Sequence, residues 1–223
     1  MKEEFHLGDN RIILVGTGHV FQESVDLARS TILQVCPDHV AVELDYQRMV
    51  ALQSKSREKP SFRDMLKMGV RIAILASILS YFQSKVGEET GVFPGAEMLE
   101  AMKAAEEVGA HIELIDQNMT VTLNRLISSM SLFNILKIMF YMLFPSKINI
   151  DSIDEDMVEN MTQELRHLSP SAYRVLLEER DRIMAHNILD LSGTIVVVVG
   201  AGHVKGIKTH LIESYKNNHM EES

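Results

Sequence analysis

The sequence has one cysteine, five prolines, no tryptophan and an excess of acidic over basic residues. The single cysteine, Cys36, excludes an intrachain disulfide and any zinc site of the Cys₄ or Cys₂His₂ type, and we expect it to be a small buried apolar side chain. With 46% hydrophobic and 24% charged residues, the chain is not disordered throughout. The formal net charge is −9, so the chain lacks the excess of basic residues on which binding to nucleic acid or anionic lipid depends.

The first ten residues contain no apolar stretch of the kind found in secretory signal peptides. Together with the lack of disulfides, this predicts a protein of a reducing compartment. We therefore expect a cytoplasmic protein, or the soluble domain of a membrane-anchored one.

Short β-branched stretches alternate along the chain with helical patterns. There are four such stretches, and three of them are almost entirely apolar, which is typical of strands that helices cover on both faces. The predicted strands lie at 11–15, 39–44, 111–115 and 194–199. We predict an α/β domain with a mixed or mostly parallel sheet of about four core strands, flanked by helices. The helices are predicted at 21–35, from 45 to 57, at 96–108, from 170 to about 191 with Ser169 as N-cap, and from about 205.

Two helical segments, 62–86 and 121–144, are unusually apolar for this alternation. Within the second, 126–144 carries only one charge, Lys137, and is long enough to be a marginal membrane span. Because polar residues interrupt it, we favour a buried or dimer-forming helical hairpin over a groove, a membrane-surface element or a true span. We predict a single domain over 1–223 with both segments as insertion elements, and a homodimer.

A repeated pattern is the most informative feature of the chain. The first and last predicted strands run into Gly16-Thr-Gly-His19 and Gly200-Ala-Gly-His203, and each then enters a helix. Ligands of open α/β sheets bind at this end of the strands, so both imidazoles would face one pocket if the strands are neighbours. The alternatives are two ordinary strand-to-helix turns, or a phosphate site, which the absence of a P-loop Lys-Ser/Thr makes less favoured.

Carboxylates occupy the ends of the other two strands. Glu43 lies on an apolar strand and needs a metal, a histidine or an arginine as partner, and Arg48 is well placed for this. Asp116 closes the third strand. This mixture of oxygen and nitrogen donors suits Mn²⁺, Co²⁺, Fe²⁺ or Zn²⁺ better than Ca²⁺. The charge run 178–182 is typical of a solvated helix face, although its apolar flanks favour one charge turned inward.

Six motifs in a fixed order resemble the TraB/PrgY family, relatives of the Tiki proteins within a wider group of erythromycin esterases and ChaN-like proteins. The resemblance covers about residues 10 to 210, and the order of the motifs is more specific than any one of them. The motifs are Gly16-Thr-Gly-His19, Val42-Glu-Leu-Asp-Tyr-Gln-Arg48, Pro94-Gly-Ala-Glu-Met98, Leu114-Ile-Asp116, Glu179-Arg-Asp181 and Gly200-Ala-Gly-His203.

The resemblance implies a metal-dependent hydrolase, most concretely a peptidase that trims or degrades peptides, as Tiki-like and pheromone-shutdown members do. It implies a divalent metal, Mn²⁺, Co²⁺ or Zn²⁺, and a peptide or protein substrate. The metal ligands would be His19, His203, Glu43 and Asp116, where Glu43 is ligand or general base and Asp116 is ligand or support. The remaining candidates are catalytic Arg48 and Arg180, together with Gly16, Thr17, Glu97, Arg125, Glu179 and Gly200 as substrate-binding or supporting residues.

Two features depart from the family pattern. Gln117 stands where many members have arginine, and microbial members often continue into membrane helices beyond the second histidine motif. We therefore expect a shortened chain or a soluble member, with membrane association in any longer form. Two alternative functions use the same fold: a protein that sequesters a peptide or haem without turnover, and a membrane-associated scaffold.

Overall fold

The computed structural model describes residues 1–18, 22–53, 95–129 and 155–220 of the chain. In this part, the predicted α/β fold is confirmed: helices flank a sheet of five strands in the order β1-β2-β5-β3-β4. The first strand pairs antiparallel with the second, and the other pairs are parallel. The strands are β1 (Lys2–Leu7), β2 (Asn10–Thr17), β3 (His39–Val42), β4 (His111–Leu114) and β5 (Thr194–Gly200).

The predicted helices at 21–35 and 96–108 agree closely with the structure, and so does the one from 45 as far as it is described. The last helix begins at Ala201 instead of about 205, and the helix Glu155–Leu168 was not among those predicted. Ser169 is an N-cap as expected, because its side chain accepts a hydrogen bond from the amide of Ala172. A π turn at Arg174–Glu178 interrupts the helical stretch that follows. The helices are α1 (Gln22–Val35), α2 (Tyr46–Gln53), α3 (Ala96–Val108), α4 (Met119–Ser129), α5 (Glu155–Leu168), α6 (Pro170–Tyr173), α7 (Glu179–Leu189) and α8 (Ala201–Met220).

Helices cover the central strands on both faces, as the apolar strand sequences predicted. In β5, Val196 and Val198 pack with the side of the core formed by α1 and α3, while Val197 and Val199 pack with the side formed by α7 and α8. All four valines are fully buried, and each contributes about 1.5–3 kcal/mol through removal from water. The rigid strands thereby fix the positions of the residues that follow them.

The first and last predicted strands are neighbours, so their glycine turns lie at the same edge of the sheet. In the parallel register, Gly16 lies opposite Val199 and Thr17 lies opposite Gly200. A side chain at position 16 would come within 2.7 Å of Val204, so the glycine permits the close approach of α8 to β2. His19 lies outside the described residues.

The structure also differs from the sequence-based expectations. Strand β1 was not predicted, because its alternating polar residues form no apolar run. The prediction of a buried Cys36 is wrong: this residue ends α1 at φ 47, a left-handed conformation, and its side chain is exposed. The segment 62–86 lies outside the described residues, and of 121–144 only the part up to Ser129 is described. No helix of the described ranges is long and apolar enough to cross a membrane.

Candidate functional site

A buried arginine joins the carboxylates at the ends of two strands. Arg180 donates from Nε to Oδ1 of Asp116 at 3.0 Å and from Nη2 to Oδ2 at 2.6 Å. The same Nη2 donates to Oε1 of Glu43, and Nη1 lies 3.1 Å from Nε2 of His203. Three candidates from three separate parts of the sequence therefore meet at one guanidinium.

The helical stretch that carries Arg180 contains a π turn. This turn, Arg174–Glu178, ends two residues before Arg180, and turns of this kind often occur at functional sites. Of the charge run 178–182, both Arg180 and Asp181 are buried, at 8% and 5% exposure. Two charges thus turn inward, whereas the sequence favoured one.

Glu43 bridges the ends of β3 and β5. Its Oε2 accepts a hydrogen bond from the amide of Gly200 at 2.6 Å, and its Oε1 lies 3.5 Å from Nε2 of His203. The carboxylate pairs with Arg180, whereas Arg48, the expected partner, donates to the backbone oxygen of Glu43 at 3.3 Å. The guanidinium that neutralises Glu43 is therefore 137 residues away in sequence.

Four N–H groups surround the carboxylate of Asp116. Oδ1 accepts from Arg180 and from the amide of Gln117, while Oδ2 accepts from Arg180 and from Nη1 of Arg48 at 3.1 Å. A carboxylate has about four acceptor positions, and the side chain of Asp116 is 0% exposed. The contacts favour the supporting role of Asp116, which holds both arginines, over a role as ligand.

His203 is held from both sides of its ring. Nδ1 lies 2.5 Å from Oδ1 of Asp181, and Nε2 faces Arg180 and Glu43. Sequence reasoning missed Asp181 as a site residue. The signal was present, because Asp181 ends the motif Glu179-Arg-Asp181, but a mid-helix aspartate in a charge run is typical of the surface.

The electrostatics follow from burial and pairing. Burial works to lower the pKa of Arg180, but the hydrogen bond to Asp116 and the charge of Glu43 outweigh it and raise that pKa. Burial raises the pKa of Asp181, and the contact with His203 only partly offsets this. Arg180 therefore stays positively charged, whereas burial disfavours the charged form of Asp181.

Asp45 is a second residue that the sequence reasoning missed. Its Oδ1 accepts the amide hydrogens of Gln47 and Arg48, and its Oδ2 accepts that of Met119. Asp45 thereby caps α2 and ties it to the start of α4. This fixes the backbone from which Arg48 reaches Asp116.

The contacts of Arg180 with Glu43, Asp116 and His203 form one cluster. The other predicted residues lie around this cluster or at the surface. Thr17 donates to the carbonyl of Val199 at 3.1 Å, which links the ends of β2 and β5. Glu97 is buried in the first turn of α3. Arg125, whose side chain is 57% exposed, forms a salt bridge with Glu179. Arg125 therefore lies at the surface, whereas the side chain of Glu179 is only 13% exposed.

The described residues do not by themselves form a metal site. Within 1–18, 22–53, 95–129 and 155–220, no group of three His, Cys, Asp or Glu side chains is arranged to hold an ion. Arg180 takes acceptor positions on Glu43 and Asp116, and the expected ligand His19 is outside these ranges.

Comparison with known proteins gives one family. The sequence profile of the TraB/PrgY/gumN family matches residues 4–218. The chain is 34% identical over 221 residues to an uncharacterized protein of Methanocaldococcus jannaschii, covering 94% of this chain and 55% of that protein. It is 28% identical over 235 residues to a TraB domain-containing protein of Bos taurus and 27% identical to that of Homo sapiens, covering 89% of this chain and 62% of each relative. The chain thus spans little more than half the length of these relatives.

Proposed function

Since the chain belongs to the TraB/PrgY/gumN family, as its ordered motifs predicted, we propose that it is a hydrolase and, more specifically, a metal-dependent peptidase. The site of this activity would be the cluster of Glu43, Arg180 and His203 at the carboxyl ends of the strands. The proposal depends most on one observation, the pairing of His203 with a carboxylate on each side of its ring.

The spacing of two donors supports a shared ion. Two ligands of a tetrahedral ion with bonds near 2.1 Å are about 3.4 Å apart. Nε2 of His203 and Oε1 of Glu43 are separated by 3.5 Å. Metal-bound histidines also usually donate their other ring nitrogen to a carboxylate, which is the position of Asp181.

Arg180 limits this fit. Its guanidinium contacts both Nε2 of His203 and Oε1 of Glu43, so an ion held by these atoms would compete with it for the same lone pairs. A further ligand is also needed, and His19 is the candidate by sequence. The donor set of the described residues therefore supplies two ligands and leaves the third to His19.

The residues divide the chemistry between them. A bound divalent ion would lower the pKa of a water molecule and polarise the scissile carbonyl. Glu43 would act either as a ligand of that ion or as the general base that takes the proton from the water. Arg48, with a side chain 30% exposed, is the cation of the cluster that a substrate oxygen can reach most easily. Arg180 and Asp116 hold this arrangement in place.

The test combines metal content with peptide cleavage. The protein is purified without chelator, its metals are measured by mass spectrometry, and a diverse peptide library is incubated with it in the presence of Mn²⁺, Co²⁺ or Zn²⁺. We expect cleavage that chelator abolishes. Loss of metal and activity together is expected in His203→Ala.

Glu43→Gln separates two roles of the carboxylate. If Glu43 is chiefly the base, metal stays bound while turnover falls about 10²–10⁴-fold. If it is chiefly a ligand, metal and turnover are lost together. The matched control is Glu106→Gln, at an exposed position of α3, which should behave as the unchanged protein. Absence of any cleavage by the metal-loaded protein would refute the peptidase.

A second candidate is a protein that binds a peptide without cleaving it. The observation that favours it is the pairing of both Asp116 and Glu43 with Arg180, whose N–H groups take acceptor positions that a metal ion would need. This function predicts peptide binding that neither chelator nor Glu43→Gln abolishes, with no product in the library assay.

A further inference from the structure

The partners of His203 define which of its nitrogens carries the hydrogen. Nη1 of Arg180 can only donate, so Nε2 of His203, 3.1 Å away, must be the acceptor. The hydrogen of the neutral ring is then on Nδ1, where Oδ1 of Asp181 accepts it at 2.5 Å. Nε2 presents its lone pair to the space between Arg180 and Glu43.

Asp181 can reach His203 because α8 has a glycine at the point of contact. Gly206 lies one helical turn after His203. A Cβ atom at position 206 would overlap Oδ2 of Asp181 and lie 2.6 Å from its Cγ. The carboxylate is on a short side chain in a buried position, so any residue larger than glycine must displace it.

We propose that Gly206 and Asp181 are positioning residues that hold the ring of His203 in the orientation in which Nδ1 carries the hydrogen and Nε2 faces Arg180; without the carboxylate the ring can turn, and Arg180 alone does not fix the tautomer. Gly206 provides the space, Asp181 accepts the hydrogen, and His203 keeps an Nε2 lone pair for a metal ion or a proton. The consequence for catalysis depends on the proposed function, whereas the tautomer itself does not.

The tautomer is measured by nitrogen NMR of the imidazole rings in chelator-treated, ¹⁵N-labelled protein, at a pH well above the ordinary histidine pKa of about 6.5. The signal of His203 among the nine histidines is identified by its loss in His203→Gln. We expect one protonated and one unprotonated nitrogen in the unchanged protein, and averaged signals in Gly206→Ala.

Gly202→Ala is the matched control on the same helix. A Cβ there meets its nearest neighbours, in Leu177 and Thr162, at an ordinary 3.6 Å. It should leave the imidazole signals of His203 unchanged. In the background of Asp181→Ala, Gly206→Ala should cause no further change, because the carboxylate that needs the space is gone.

Three outcomes overturn the proposal: wild-type tautomer signals in folded Gly206→Ala, wild-type signals in Asp181→Ala, or equal effects of Gly206→Ala with and without Asp181. If Gly206→Ala does not fold, the Asp181→Ala spectrum alone decides. If the protein cleaves peptides, Gly206→Ala should lower kcat/KM about 10–100-fold. If it cleaves none, the proposed peptidase function is refuted, while the NMR spectra still test whether Asp181 and Gly206 position His203.

Discussion

Replacing Arg180 by methionine tests whether this guanidinium holds the site together. Methionine keeps much of the apolar length of the side chain and removes the charge. It leaves Glu43 and Asp116, with side chains 4% and 0% exposed, without their shared cation. Asp116 keeps its contact with Arg48, and Glu43 keeps the amide of Gly200.

The expected loss is large. Removing one partner of a buried ion pair costs about 3–5 kcal/mol, because an uncompensated charge stays in the interior. The free energy of unfolding of a domain is about 5–15 kcal/mol, so the expected loss is about a fifth of it or more. With a urea m-value near 2 kcal/mol per molar, the unfolding midpoint should fall by about 1.5–2.5 M.

Urea unfolding followed by circular dichroism measures this change in the presence of chelator. The matched control is Arg174→Met, in the preceding π turn, where the arginine side chain is 60% exposed and lies 3.8 Å from Glu179. We expect less than about 0.5 kcal/mol there.

A double-mutant cycle then identifies the cause. Asp116→Asn should destabilise the unchanged protein, and it should cost about 1–3 kcal/mol less in the Arg180→Met background, because the orphaned charge has been removed. A loss below about 1 kcal/mol for Arg180→Met, or strict additivity of the two changes, would refute the central role of this ion pair.

Three further predictions concern single contacts. Arg48→Lys should reduce peptide turnover about 10–100-fold, because an ammonium cannot bind both Asp116 and the Glu43 carbonyl in the geometry of the guanidinium. Steady-state kinetics measures the effect, and unchanged kcat and KM would contradict it. Ser169→Ala should lower the free energy of unfolding by about 1 kcal/mol, because it removes the N-cap hydrogen bond from the amide of Ala172. This is measured as a fall in Tm, with Ser30→Ala at an exposed position as the control. Equal Tm values for the two variants would exclude a stabilising cap. The hydrogen bond from Arg29 lowers the pKa of Glu107 below its ordinary 4.5, so the pair stabilises the fold above that pH and loses its effect as the pH falls through the lowered value. In unfolding measured as a function of pH, Glu107→Gln should therefore reduce the loss of stability on acidification. An unchanged loss would contradict the pairing.

The core strands could be predicted because their sequences carry the pattern of buried β-structure. The apolar stretch 194–199 indicated a strand covered on both faces, and the structure confirms it as Thr194–Gly200. Strand β1 could not be predicted in this way. As an edge strand its side chains alternate between exposure and partial burial, so its polar residues resemble an ordinary chain terminus.

The candidate site was predictable as a location and only in part as a set of contacts. The repeated glycine turns at Gly16 and Gly200 placed it at the carboxyl ends of two strands, and the register of β2 with β5 confirms that these strands are neighbours. The ion pairs were not predictable, because Glu43 and Arg180 are distant in sequence and their encounter depends on how α7 packs beside the sheet.

The sequence by itself therefore determined the family, the alternation of strands and helices, and the edge of the sheet at which polar residues collect, since all of these depend on local pattern. Only the tertiary structure decided which charges neutralise one another. It turned Arg180 and Asp181 into the core from a charge run typical of the surface, gave Glu43 the guanidinium of Arg180 instead of Arg48, and brought Asp181 to His203 across Gly206. The physical reason is that burial requires each charge to find a partner, and the available partner is set by helix packing.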